Sequence, residues 1–454
     1  MIEEAPVIKL SANIKNELFK IILSDRIQLF SDTAKKIEKD YLYWDKIKYL
    51  KDEKIHLFKT DIKDEELLWF ITKMRREVTS KNDYLFSDLL AEDIFEIEYR
   101  YNINEFLQQK LHYLDFNFGA GIQKKELLDE LDKQKYLTNA LMEESIFSSK
   151  IEGASTTRVK AKEMLRKNKT PKNKSEQMIL NNYETIQYIS EHKEEEISLE
   201  KLFEIHHLVT KKTLYEKQVG VFRDNDEIFV MNDLTGEIVH TPPPFKELDD
   251  LMKSFCEFFN NNPKENFIHP IVKASILHFL IGYIHPFVDG NGRTARALFY
   301  WYLLKNGYWL TEYLSISRVI MKSKTQYENA YLYTEIDDMD VTYFIHYQVK
   351  VLTQAFEDLK EYVAKKKKEV QNLAQFYKEP SINERQAQIL FWVNENSTRN
   401  FTVKEIENVF SVTNQTARTD LESLVEKNIL KKIKINQKTA NYWKGDSFDI
   451  KFGK

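Results

Sequence analysis

The chain has 454 residues, 42% hydrophobic and 30% charged, which fits a soluble globular protein of about three domains. A net charge of −4 is too small to argue for a charged partner, and a single cysteine, Cys256, excludes an internal disulfide or a cysteine metal cluster. The start, MIEEAPVIKL, lacks the features of a secretory leader and the most apolar stretch, 271–284, is too short to span a bilayer, so a cytoplasmic protein with no membrane partner is expected.

Only 11 glycines and 9 prolines punctuate this length, which predicts long helices with few loops. Residues 1–120 are rich in aromatic and charged side chains. Glu65, Leu67, Leu68, Phe70, Ile71 and Met74 have helical period, and short strands are expected near 41–60. No role is legible in this part. Residues 124–147 read as two helices, apolar at Leu127, Leu128, Leu131, Leu137, Leu141, Ile146 and Phe147. His206 and His207 are adjacent, point to different helix faces and cannot chelate together. The best hairpin signal is EIFVMNDLTGEIVHTPPP, 227–244. Ile228, Phe229 and Val230 read as one strand, Ile238 and Val239 as its return, and Asn232, Asp233 and Gly236 as the turn.

Further on, Ile271, Val272, Ile276, Leu277, Leu280 and Ile281 make a helical stretch whose one charge is Lys273. Ala295, Ala297, Leu298, Phe299, Tyr300, Trp301, Leu303 and Leu304 make a second, beginning near Asn291 and apolar nearly all round. Both read as core helices. His278 lies two turns before His285 with no third ligand in sight, and reads as a core histidine. Residues 341–375 form one long helical pattern, with Lys365–Lys368 as a solvated face; Tyr377 to Pro380 reads as a linker, with Pro380 ending the helix. In 381–454, helical stretches at 383–395, 402–410 and 414–427 precede a strand pair, IKIN and TANYWK.

Between the two core helices lies HPFVDGNGRTAR, residues 285–296. His285 can accept a proton, and with an ordinary value near ~6.5 it is mostly neutral at pH 7. Asp289 offers hard oxygen to a divalent cation. Gly290 and Gly292 allow a tight turn whose N–H groups approach phosphate oxygens at the positive start of a helix. Arg293 and Arg296, three apart on that helix, present planar forks that match phosphate. These residue types in one fixed order point to nucleotide phosphate chemistry.

The segment resembles the HxFx(D/E)GNGRxxR signature of Fic domains at every specified position. The resemblance implies a mainly α fold. Its parts are a helical N-terminal region at 1–120, a Fic core at 121–376 with a small β-hairpin flap and an inhibitory helix near 140–153, and a C-terminal winged helix-turn-helix at 381–454. It implies transfer of AMP from ATP to a Ser, Thr or Tyr hydroxyl of a protein substrate. His285 would be the base, Phe287 would point into the core, and Asp289 would hold Mg²⁺. Gly290, Asn291 and Gly292 would form the anion hole for the α-phosphate, Arg293 would hold the β-phosphate region and Arg296 the γ-phosphate. Tyr327, with Asn329 on the same helix, is a candidate contact to adenine or ribose. The segment Ile228, Phe229 and Val230 is similar to the flap, which aligns a target segment as an added strand. Gly220 to Arg223 also look family-like, without assigned chemistry.

By spacing alone, Ser148, Glu152 and Gly153 are an ordinary helical surface. Beside this signature they match the family's inhibitory pattern (S/T)xxxE(G/N). There the glutamate pairs with the second motif arginine, here Arg296, and takes the place of the γ-phosphate. A pair worth even ~3 kcal/mol would suppress turnover about a hundredfold. Family members often dimerise, so a second copy of the chain is one partner implied. The C-terminal piece resembles a winged helix whose third helix would present Asn414, Gln415, Arg418 and Thr419 beside a wing carrying Lys431, Lys432, Lys434, Lys438 and Lys444. That leaves DNA open as a partner through 414–444. Asp420, Glu422 and Glu426 on the same helix leave a docking or packing role open too. Two other readings remain: a DNA-binding transcriptional regulator with a nucleotide-sensing core, and an enzyme using another nucleotide or removing AMP.

Overall fold

The computed structural model describes residues 2–7, 15–16, 27–48, 64–86, 96–118, 130–232, 235–261, 267–374, 376, 381–410, 412–434 and 440–452. The fold is mainly α, in two compact units, Met1–Glu357 and Asp358–Lys454. Among the described residues no helix is long and apolar enough to cross a membrane.

The first unit begins with α1 (Ile27–Asp40), α2 (Trp44–Ile47), α3 (Asp64–Thr79), β1 (Lys81–Phe86), β2 (Glu96–Tyr101) and α4 (Glu105–Phe118). The strands expected near 41–60 are not found where that segment is described. Residues 44–47 are helical, with Trp44 and Ile47 buried three apart, and 49–60 lie outside the described residues. The described strands of this part, β1 and β2, pair antiparallel from Lys81↔Tyr101 to Phe86↔Glu96. Ile97, Tyr99 and Tyr101 are buried at every second position, the period of a half-buried strand.

Next comes α5 (Glu130–Ile151); of the stretch 124–147, expected to hold two helices, the part before Glu130, with Leu127 and Leu128, lies outside the described residues. Its 22 residues contain no glycine or proline to interrupt it. It stops at Gly153, whose φ of +87° suits a residue without Cβ. The Gly153 N–H donates to Lys150 O at 3.1 Å and the Ala154 N–H to Ser149 O at 3.0 Å, a Schellman closure that leaves Glu152 just past the helix end.

Then follow α6 (Arg158–Arg166), α7 (Lys174–Glu191), α8 (Leu199–Thr210), the hairpin β3 (Val230–Met231) and β4 (Ile238–His240), α9 (Leu248–Asn260), α10 (Pro270–Ile284), α11 (Asn291–Lys305), α12 (Ile316–Lys322), α13 (Lys324–Ile336) and α14 (Thr342–Ala374). The hairpin is shorter than expected: Ile228 and Phe229 precede the paired residues. The backbone just before them turns around Arg223, which binds Asn225 O and the Asp226 carboxylate, so pairing starts only at Val230. α10 and α11 lie against each other, buried on nearly every side, which is why both lack a polar stripe. α5 packs on α7 and α12.

The early helices are tied to the core through Arg76, which is fully buried. It donates to Glu38 Oε1 at 3.0 Å, Leu42 O at 3.2 Å and the Tyr343 hydroxyl at 2.7 Å, and lies 3.7 Å over the Tyr41 ring.

The second unit holds α15 (Glu384–Glu395), α16 (Val403–Phe410), α17 (Asn414–Glu426), β5 (Leu430–Lys434), β6 (Ala440–Lys444) and α18 (Phe448–Phe452). Asn383 caps α15 in a reciprocal box with Gln386. Leu390, Phe401, Ile406, Leu421 and Tyr442 fill one core under a winged helix-turn-helix.

Replacing Arg76 with Met leaves Glu38 and the Tyr343 hydroxyl without their partner. Removing one member of a buried pair costs about 3–5 kcal/mol. The urea midpoint of Arg76→Met should fall accordingly, while Lys35→Met, at a side chain 69% exposed, should leave it nearly unchanged. Equal midpoints for the two variants would show that the cluster does not hold the N-terminal helices.

Candidate active site

α10 ends on His285, in the left-handed conformation with φ 49° and ψ 56°. A side chain is rarely tolerated there, at a cost of order 1–2 kcal/mol. Arg223 holds the turn in place. Its backbone N–H donates to Pro286 O at 2.9 Å, its Nε to His285 O at 3.1 Å, and Nη2 to Pro243 O. His285 Nδ1 lies 3.3 Å from Gly282 O. With the Nδ1 proton on that carbonyl, Nε2 keeps its lone pair. Burial pushes the imidazole down to about 4, against the opposing pull of Gly282 O and the Glu152 carboxylate. It is therefore neutral, as a base must be.

The loop that follows is fixed from both sides. Asn291 Oδ1 accepts the Phe287 N–H at 3.0 Å and Nδ2 donates to Phe287 O at 2.7 Å. Phe287 is fully buried and stacks on His206 at 3.8 Å, the rings 4° apart. His206 Nε2 donates to Asp289 O at 2.8 Å while Nδ1 accepts the Gly220 N–H at 2.9 Å. Gly290 has φ +93°, and a Cβ there would meet Thr210 Cγ2 at 2.7 Å. The loop thus needs glycine for conformation and for space.

Gly290 is the N-cap of α11, and no side chain caps that end. Its first N–H groups point to a natural anion position. Asp289, its side chain 40% exposed, accepts the Gly290 N–H with Oδ1 at 2.6 Å and Arg293 Nη2 at 3.1 Å. Arg293 is 0% exposed and also donates to Val209 O at 3.1 Å, so in this state it braces Asp289 rather than facing a phosphate.

Arg296 is held by the end of α5. Nε donates to Ser148 Oγ at 2.9 Å, and Nη2 to Ser148 O at 3.1 Å and to Glu152 Oε1 at 2.9 Å. The Glu152 carboxylate lies over Gly292, where a Cβ would come within 2.4 Å of Oε1. Ser148, Glu152, Gly292 and Arg296 thus meet at one point, although Ser148 and Arg296 are 148 residues apart.

Tyr327 borders Arg296 from the core side. It is buried in the core, its hydroxyl 2.9 Å from His278 Nε2, and that hydrogen bond faces inward. His278 Nδ1 accepts from Gln348 Nε2 at 3.1 Å, and burial holds this imidazole well below its ordinary range. It is a neutral core histidine. In the hairpin, Phe229, Met231 and Ile238 are exposed by 41%, 59% and 55%.

The residues fit a triphosphate with one hard cation. Among the described residues the buried atoms Arg296 Nη1 and Arg293 Nε have no hydrogen-bond partner, so anion-seeking donors remain beside the uncapped helix start. No described cluster of three or more His, Cys, Asp or Glu could cage a metal. A single carboxylate such as Asp289 is the form Mg²⁺ sites take when phosphate oxygens and water complete the shell. The positioning roles of two residues, His206 and Arg223, are not legible in the sequence. They lie 83 and 62 residues from the groups they hold, and nothing in linear spacing marks them.

Residues 196–303 match the Fic/DOC family and residues 385–434 the DeoR-like helix-turn-helix domain. The chain therefore contains a Fic/DOC domain and, after it, a helix-turn-helix domain. It is 32% identical over 128 residues to a protein named protein adenylyltransferase Fic from Nematostella vectensis, over 28% of each chain. It is 44% identical over 69 residues to the protein of the same name from Drosophila mojavensis, over 15% of this chain and 14% of that one. The chain thus matches less than a third of the length of these relatives. A solved Fic family protein from Desulfovibrio desulfuricans G20 is similar at a TM-score of 0.49 and 17% identity, covering 75% of this chain and 94% of that one.

Burial pushes His206 down to about 4 from an ordinary 6.5. The unfolded chain binds that proton first, so the neutral ring's contribution to stability is complete above about 6.5 and is lost as pH falls towards about 4. His206→Gln should be less stable than the parent at neutral pH, yet lose less stability over that interval. Urea midpoints across the interval test this, and an unchanged pH slope would contradict a buried neutral ring.

Proposed function

We propose that this chain is an autoinhibited protein adenylyltransferase, moving AMP from ATP to a serine, threonine or tyrosine hydroxyl of a protein target or of itself. The observation that carries the reading is Arg296. It is a buried guanidinium near the uncapped start of α11, occupied by Ser148 and Glu152 and keeping one donor unfilled. The adenylyltransferase names of the relatives support the same reaction.

His285 Nε2 takes the proton of the target hydroxyl as its oxygen bonds to the α-phosphorus. The bond from that phosphorus to the bridging oxygen breaks, and pyrophosphate leaves with the electron pair. N–H groups of Asn291 and Gly292 at the start of α11 would face the α-phosphate oxygens, where charge grows in the transition state, joined by that of Gly290 once it leaves Asp289 Oδ1. Asp289 would hold Mg²⁺, which when bound offsets phosphate charge. Arg296 engages the γ-phosphate only when Glu152 has let go. Positioning and charge stabilisation are the protein's share of the work.

The test is labelling with ATP radioactive at the α-phosphate. Glu152→Gly should raise incorporation about a hundredfold, the equivalent of ~3 kcal/mol lost from a largely buried pair. His285→Ala in that background should abolish it. No label with ATP, UTP or GTP would overturn the reading, and mass loss of AMP from a pre-labelled protein would reverse its direction.

One observation favours a second activity for the C-terminal unit. Two of the three acids on α17 that argue against DNA are spent inside the domain: Asp420 is buried against Arg385 at 2.6 Å, and Glu422 pairs with Lys432 and accepts the Tyr442 hydroxyl at 2.8 Å, while Glu426 stays exposed. Asn414, Gln415, Arg418 and Thr419 are exposed on the same helix. We infer a duplex-binding face there. A mobility shift that weakens steeply with salt and is lost in Arg418→Ala is expected. Absence of a shift at low salt leaves docking to a protein as the role of this domain.

A further inference from the structure

The β3–β4 hairpin is too small to hold its own shape. Two residue pairs, Val230↔His240 and Met231↔Ile238, are interrupted by a bulge, and isolated two-stranded ribbons are marginal even when longer. The side chains of Met231 and Ile238 are exposed and contribute little packing. Something else must fix this edge, and His240 stands where that can happen.

His240 closes β4 and is buried. Its ring ends on two oxygens: Nδ1 is 2.7 Å from Glu335 Oε2 and Nε2 is 2.7 Å from Tyr283 O. A carboxylate and a main-chain carbonyl both accept. A neutral imidazole has one N–H and would set its lone pair against one of these oxygens; the imidazolium, with a proton on each nitrogen, fills both bonds. The two partners belong to different elements. Tyr283 lies in the last turn of α10, two residues before His285, and Glu335 in the last turn of α13. The groups that face the ring are thus Glu335 from α13 and, from α10, Tyr283, whose ring centroid is 4.9 Å away; His285 and Arg223 lie beyond. Positive charge on His240 also adds to the burial that keeps His285 unprotonated. The hydrogen bonds of Arg296, Asn291 and Asp289 described above run to residues other than His240.

We propose that His240 is a positioning residue, an imidazolium latch that ties the hairpin edge to the catalytic turn and to α13 and so sets where a protein substrate lies relative to His285. The proposal rests on the adenylyl-transfer reading for its consequence, but not for its geometry. A loose hairpin spoils delivery of the hydroxyl and leaves the phosphate-binding turn intact.

The experiment uses the full chain carrying Glu152→Gly, with His240→Ala and Glu335→Gln added separately. Glu335→Gln keeps size and an accepting oxygen while removing the charge. Losing a hydrogen bond to a charged group corresponds to about ten- to a hundredfold. Amide exchange across the 228–240 hairpin should accelerate by about that factor in both variants, and self-labelling should slow similarly, while the Kd for Mg·ATP and exchange at α11 stay within about twofold. Nitrogen-15 spectra of histidine-labelled protein should show both ring nitrogens of His240 protonated in the parent. Unchanged hairpin exchange, or a neutral ring pattern, overturns the latch. Parallel loss of Mg·ATP binding also overturns it, because His240 would then support the whole site. If the Glu152→Gly parent labels nothing, the adenylyl-transfer reading fails by itself, and exchange and spectra still decide the latch.

Discussion

A guanidinium taken out of water must keep an anion beside it, and Arg296 is such a group. Its side chain is 3% exposed, and an unpaired charge at that depth costs several kcal/mol. The end of α5 meets the need with Glu152, the Ser148 hydroxyl and a main-chain carbonyl from the helix's last turn. The carbonyl end of a helix is its negative pole, so the cation is doubly suited to that position. From this one requirement follow the glycine at 292, the placement of Glu152 just past a helix stop, and the packing of α5 beside α11.

Around that pair the fold relies on neutral histidines and buried arginines rather than on surface ion pairs. His206 and His278 each use one ring nitrogen to donate and the other to accept, which only the neutral tautomer allows. Arg223 holds the strained His285 backbone and the base of the hairpin with one side chain. Each of these groups fixes main chain, and main chain in turn sets the catalytic turn. A site that works by positioning gains most from such rigid supports.

How much of this was legible in the sequence follows from how local each part is. The segment 285–296 was readable because base, carboxylate, glycines and arginines are contiguous, and a turn between two apolar helices brings them together. Glu152 was readable only because a spacing pattern resembled a known inhibitory one. Its contact with Arg296 spans 144 residues. His206 was passed over as one of two adjacent histidines, since its meaning comes from a carbonyl on a distant loop. Tyr327 is buried beside both Arg296 and the His278 imidazole, neighbours that helical spacing alone does not show. Of the stretch 41–60, where short strands are expected, residues 44–47 are helical, with Trp44 and Ile47 buried at helical spacing, and 49–60 lie outside the described residues; a clear strand alternation lies at Ile97, Tyr99 and Tyr101.

Because Arg296 cannot be left bare, inhibition on the proposed reading is an exchange of anions and not the breaking of a bond. The γ-phosphate would replace the Glu152 carboxylate on the same fork, so the depth of inhibition is a difference between two pairings. Three features keep that difference modest. Glu152 lies beyond the last helical residue of α5, so it can swing without melting a turn. Its negative charge sits at the negative pole of that helix, an unfavourable place without the arginine. Its side chain is 30% exposed, so water can take it up on release. Ser148, in contrast, is buried within the helix and can keep its hold on Nε throughout. A carboxylate that is easily displaced, mounted on a helix that need not move, makes a block that a competing phosphate or a partner pressing on α5 can lift without unfolding the site.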